Sequence, residues 1–241
     1  QPNDAVRQAA LEALAVLGDE RQLPAVIDFM KSAAEPIMQK TATTALEALV
    51  GRAESRSVTL LLTGLTGANA SVRMILMEQL GRVGGREALA AVRAALSDEA
   101  PTVREAAVRI LANWPDTHAL PELLKIIQND RQSGQRTTAF QGYVRLCREA
   151  SRLSADQRLE GLVQAMQLAP RDEDKILVIS ALAEVPNLEA LRVLASCLEQ
   201  AALKEAAGVA AAKVAASLGP EAREEVIPIL RHAAKVCSHF E

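Results

Sequence analysis

The sequence predicts an all-α fold, a right-handed α-solenoid of about seven stacked helix pairs. Composition and an internal repeat carry that reading. Ala and Leu supply 45 and 32 of the 241 residues, and both are strong helix formers. Aromatic residues are only 2% of the chain, and neither they nor Val and Thr dominate any window, which excludes an all-β fold. A basic residue or its equivalent recurs at positions 7, 39, 73, 104, 136, 175 and 204. Most intervals are near 32, with one of 39 and one of 29, a period that marks a repeat array.

Each copy holds two helical stretches joined by a turn. The first copy runs from Val6-Arg7 through Ala10, Leu14 and Leu17 to a turn at Gly18-Asp19, with Pro24 early in the second helix. The second copy is weaker and starts near Met38-Gln39. The third places Val72-Arg73 before Leu76, Leu80 and Val83, turns at Gly84-Gly85, and resumes with Leu89, Val92 and Leu96. In the fourth, Pro101 suits a first helical turn, and Val103-Arg104 leads to Leu111, Trp114 and a turn at Pro115-Asp116-Thr117. Leu120, Leu123 and Ile127 follow at helical spacing. Trp114 aligns with Leu17, Val83, Val185 and Val214, so it reads as core.

The fifth copy, near Gln135-Arg136, is longer and carries Phe140, Tyr143 and an extended connection over 148–153. Ser154 to Gln157 has the spacing of a capping box that restarts a helix. This irregular copy is either a protruding contact loop or a tolerated insertion. The sixth repeats the register of the fourth, with Asp174-Lys175 leading to Leu182 and a turn at Pro186-Asn187. The seventh places Leu203-Lys204 before Ala207, Ala211 and Val214, and a longer charged helix from about residue 221 fits a terminal cap. The expected repeats are 3–35, 36–70, 71–100, 101–131, 132–170, 171–200 and 201–241, one array over 1–241. A pair of about 30 residues cannot bury both apolar faces alone, so each pair must shield its neighbour.

Bulk properties narrow the role. The net charge is −3 with both signs interspersed, and no basic block tracks a phosphate backbone, so nucleic acid is disfavoured. The most Ala-rich stretch, 201–218, is interrupted by Lys204, Glu205 and Lys213, so no membrane insertion is expected. The chain opens at Gln1 rather than Met, which suggests a processed chain or a piece of a longer one. Cys147, Cys197 and Cys237 each sit in an apolar helical context and read as buried free thiols.

The pattern Val-Arg-x-x-Ala-x-x-x-Leu, present at Val6-Arg7-x-x-Ala10-x-x-x-Leu14 and Val103-Arg104-x-x-Ala107-x-x-x-Leu111, resembles HEAT repeats, an armadillo-like helical family. The likeness is to the short bacterial type also seen in phycobilisome-lyase-like arrays. It implies a scaffold for protein binding. The segment from Phe140 to Leu146 and the one from Asp174 to Val185 are similar to arrays appended to larger bacterial multidomain proteins, some of them exported. That similarity implies a non-catalytic segment of something longer, and leans towards a periplasmic or secreted setting over a cytoplasmic one. In such stacks the second helices line the concave face. By register, its outward residues are Glu87, Arg93, Glu122, Lys125, Arg192, Ser196 and Glu199, the candidate contacts for a protein or for other domains of the same parent chain.

No chemistry-bearing constellation emerges, so no enzyme activity, metal or cofactor is expected. His232 and His239 bracket Cys237, but the spacing suits solvated helix-end residues better than zinc. Some HEAT-repeat enzymes hold iron through His-Glu dipeptides, yet the three His here precede Ala, Ala and Phe. Another HEAT-like group excises alkylated DNA bases from a basic groove, which this acidic chain lacks. Nothing specific supports bilin attachment. Asp172-Glu173-Asp174 and Glu224-Glu225 read as helix-start acids that suit the helix dipole. Gly81-x-x-Gly84-Gly85 lies between helices, and so is a turn, not a phosphate cradle. An enzyme-associated or cofactor-handling protein with a small-molecule site in the groove is the alternative reading, with DNA binding behind it.

Overall fold

In the computed structural model, residues 2–33, 35–129, 133–149 and 153–237 are described. Among them there are helices and turns and no strand, so the chain is an all-α array of stacked helix pairs. It divides into two compact units, Gln1–Pro115 and Asp116–Glu241.

The first unit contains α1 (Pro2–Leu17), α2 (Leu23–Ser32), α3 (Pro36–Ala53), α4 (Val58–Leu65), α5 (Ala70–Val83), α6 (Arg86–Ala95) and α7 (Pro101–Ala112). The first helices stack in sequence, α1 on α3, α3 on α5 and α5 on α7, and the second helices do the same, α2 on α4 and α4 on α6. Local chemistry sets the boundaries. Asp19 caps the short turn before α2, accepting from the Arg21 N–H at 2.9 Å while the Gln22 side chain accepts from the Asp19 N–H at 2.8 Å. Asn69 caps α5 by accepting from the Val72 N–H at 3.0 Å. Gly84 and Gly85 have φ of 72° and 91°, a region that costs glycine little, and they reverse the chain between α5 and α6. Pro101 opens α7 as expected.

Leu46, Leu49, Leu61, Leu76 and Leu80 are fully buried in this unit, as is Trp114. Arg52 ties the second pair to the first, donating to the carbonyls of Gly18, Ala15 and Leu14 at 2.9, 2.9 and 3.1 Å. These carbonyls lie at and just beyond the end of α1, where intrahelical donors run out, although that of Leu14 also accepts the Gly18 N–H at 2.9 Å. Arg73 does similar work further along. Its guanidinium donates to the Ala68 carbonyl at 2.9 Å and to Asp98 at 2.8 Å, and Asp98 also accepts the Ala100 N–H at 2.9 Å. The outer side of α1 differs from the interior copies: Val6 is 65% exposed, whereas Val72 and Val103 at the same register are buried. It is not a polar cap.

The second unit contains α8 (Leu120–Asn129), α9 (Ser133–Glu149), α10 (Ala155–Leu168), α11 (Asp172–Leu182), α12 (Leu188–Cys197), α13 (Lys204–Ser217) and α14 (Arg223–Val236). Here α9, α11 and α13 stack in sequence, and α12 packs on α14. The Ser154–Gln157 capping box is present and starts α10. Phe140 and Tyr143 on α9 are buried. They pack inside rather than on a loop, and residues 150–152 of the expected connection lie outside the described residues. Asp172, Glu173 and Asp174 form the first turn of α11, with Asp174 buried in a fork of Arg171 at 2.8 and 2.9 Å. On α14 the outer side is charged, with Arg223, Glu224, Glu225, Arg231 and Lys235 exposed.

The candidate second-helix face and the cleft between α3 and α5

The expected contact residues fall on three second helices. On α6, Glu87 and Arg93 are exposed. Arg192 and Ser196 on α12, and Glu199 in the turn just after it, are exposed. Two of these are joined to α14: Arg192 donates to Glu225 at 2.7 and 3.0 Å and to Glu189 at 3.1 Å, and Glu199 meets His232 at 2.8 Å. The Glu225 carboxylate, with help from Glu189, raises the Arg192 pKa above its ordinary value. The Ser196 hydroxyl donates to the Val193 carbonyl at 2.7 Å. The polar row on α12 is thereby continued onto α14, a helix absent from the expected face.

On α8, Lys125 is exposed but Glu122 is not; it keeps only 6% of its surface. This corrects the outward placement of Glu122. The buried stripe of α8 holds Leu123 and Ile127 and extends to Ala119 and Glu122, one position round from the stripe through Leu120. The carboxylate is 3.2 Å from the Lys125 ammonium.

Other reactive side chains are committed inside the fold. Cys147, Cys197 and Cys237 are free and buried. Burial pushes the Cys147 thiol up from 9 to about 12, although its hydrogen bond with Tyr143 pulls the other way. Burial likewise raises Cys197. Native Cys147 and Cys197 are therefore expected to resist Ellman's reagent at pH 8 and to react once the chain is unfolded. The unfolded thiol loses its proton above about pH 9 while the folded Cys147 keeps it to about 12. Its contribution to stability is thus complete below pH 9 and falls as pH rises through that window. Rapid labelling of Cys147 in native protein would contradict the burial.

Among the described residues, no group of three or more His, Cys, Asp or Glu side chains is placed to hold a metal ion. His239, part of the zinc possibility, lies outside them. No described helix is long and apolar enough to cross a membrane.

The first unit also has a feature the periodicity did not reveal. A cleft of about 430 Å³ lies between the C-terminal halves of α3 and α5, lined by Glu47, Glu54, Ser55, Gln79 and Arg82 with Gly51 and two valines. Glu47 and Arg82 pair across it at 3.3 Å, and one copy on, at a different register, Glu78 and Arg109 pair between α5 and α7 at 2.8 Å. Gln79 is 1% exposed, and its side-chain nitrogen is buried without a hydrogen-bond partner. A sequence signal for it exists. Six residues after each basic position stand Ala13, Ala45, Gln79, Ile110, Gly142, Ala181 and Ala210, and Gln79 alone in that series is polar.

Stacked helix pairs with successive first helices in contact define a helical repeat protein of the α-solenoid class. Within that class, a model of the HEAT-repeat family matches residues 58–143, a stretch running from α4 into α9. The chain therefore carries a HEAT-repeat-like helical domain. No curated protein matches it.

Proposed function

We propose that this chain is a non-enzymatic scaffold that binds a protein, or a neighbouring domain of its own parent chain, through outward residues of its second helices. The observation that carries this reading is the exposed polar row of Arg192 and Ser196 on α12 and Glu199 in the turn after it, presented by a helix whose opposite side is buried. Helix-pair arrays offer such rows as extended recognition surfaces. The match of residues 58–143 to HEAT repeats supports a binding role. So does the commitment of the thiols to the interior and of Asp174 to Arg171. On this reading the seven expected repeats form one array, and its partner is a protein rather than nucleic acid or a membrane.

The test is retention of a partner by the immobilised chain, compared with a variant carrying Lys125→Glu and Arg192→Glu. Both positions are exposed, so the variant should keep its helical circular dichroism. A specific protein held by the wild type and lost, by tenfold or more, by the variant is the expected result. Equal retention by both would overturn the assignment of this face.

A further inference from the structure

We infer that the cleft between α3 and α5 binds an arginine residue of a peptide chain, with Glu54 receiving the guanidinium and the buried Gln79 amide meeting an adjacent peptide group. The site rests on the reading of the chain as a protein-binding array, but it uses none of the second-helix residues.

The cleft lining carries one more acid than base, Glu47 and Glu54 against Arg82, which favours a cationic ligand. Every arginine close in sequence to Glu54 is already engaged: Arg52 with the carbonyls at the end of α1, and Arg56 with Glu20 at 2.9 Å. Across the cleft, Arg82 is paired with Glu47. Glu54 lines the same cleft, where its carboxylate is open to solvent and has no ion pair among the described residues. Its backbone is held at φ 49° and ψ −128°, a conformation that costs a side-chain-bearing residue free energy and that glycine would adopt freely. A glutamate therefore stands where the turn itself favours glycine.

Gln79 supplies the second half. An amide group buried without a partner is costly, and a ligand that satisfies it regains that cost on binding. The amide is both a donor and an acceptor, so its complement is a peptide group, which is the same. The complement of the carboxylate is a planar guanidinium, which can engage it through two parallel N–H bonds. The Ser55 hydroxyl also lines the cleft, ready to accept a further guanidinium N–H. A cleft of about 430 Å³ falls within the range of small-ligand sites and accommodates a side chain with its flanking peptide groups.

The experiment titrates the full chain, labelled with nitrogen-15, with acetylated and amidated Gly-Arg-Gly, and follows the Gln79 side-chain amide signals, assigned by their loss in Gln79→Leu. The expected result is a saturable shift of that amide pair, at least tenfold weaker with Gly-Glu-Gly. Methylguanidinium alone should leave the Gln79 amide unshifted. Glu54→Gly should bind the arginine peptide at least tenfold more weakly while melting no lower than the wild type, which separates loss of the site from loss of the fold. No saturable shift, equal binding of the acidic peptide, an equal effect of methylguanidinium, or undiminished binding by Glu54→Gly would each overturn the proposal. The Lys125→Glu, Arg192→Glu variant should bind the peptide normally, so failure of the second-helix face and failure of this cleft give different results.

Discussion

Trp114→Ala is expected to destabilise the first unit by about 3–5 kcal/mol, the range for deleting a fully buried large aromatic. Trp114 retains 1% of its surface and lies two residues beyond the end of α7, its backbone N–H bonded to the Leu111 carbonyl at 3.1 Å. The side chain is the largest in the core, and its loss leaves a void that the neighbouring rigid helices fill only in part. Denaturant unfolding followed by circular dichroism measures the loss. Hydrogen exchange locates it, with amides of α5 and α7 losing protection while those of α11 to α13 keep theirs. Trp114→Phe should cost clearly less, since most of the buried volume survives. A change under about 1 kcal/mol for the alanine variant would show that the indole is not a core residue.

The second large effect is expected at Arg73. Its side chain is 20% exposed and that of Asp98 15%, so the pair is mostly shielded from water. Arg73→Ala strands the carboxylate with the Ala100 N–H as its remaining described partner and also releases the Ala68 carbonyl. A loss of about 2–3 kcal/mol follows from breaking a pair this shielded while leaving one charge in place. Burial raises the Asp98 pKa, but the Ala100 N–H, Arg73 and Arg104 together more than reverse this, so the carboxyl titrates below its ordinary value of 3.8. Its stabilisation is therefore present above about pH 4 and is lost as pH falls through the depressed value. The deficit of Arg73→Ala should accordingly shrink on acidification below pH 4. Adding Asp98→Asn to Arg73→Ala should recover part of the deficit at pH 7, because the amide still accepts from Ala100 and carries no charge. A double variant that merely sums the two single losses would show that the two side chains act independently.

The helix pairs were legible because periodicity and punctuation agree. Val72, Leu76 and Leu80 lie on one side of α5 and are buried, and Gly84-Gly85 ends that helix where a positive φ is needed. The Ser154–Gln157 box was legible for the same reason, since a cap acts within four residues. The candidate surface was less so. Glu122 stands one position away from the apolar stripe that the sequence displays, and a small rotation of α8 against its neighbours decides whether that position faces water. Sequence spacing does not fix such a rotation. The continuation of the α12 row onto α14 depends on contacts 33 residues apart, such as Arg192 to Glu225, which no local pattern announces. The cleft between α3 and α5 leaves no trace in the apolar period of α5, which runs through Leu76 and Leu80 whatever stands at Gln79. Only comparison of the same register position across all copies exposes it as polar where the others are apolar or glycine.

The bonds that tie one pair to the next span about one repeat, 31 to 38 residues. Arg52 reaches back 34 to 38 residues, Arg56 reaches 36, Arg109 reaches 31, and Arg192 and His232 link groups 33 apart. Such fastenings act in series. When a unit is pulled from its two ends, the tension passes undivided through each joint in turn, so resistance to extension is set by the weakest joint and does not grow as more are added. Under load, each unit should yield in small successive steps rather than in one abrupt rupture.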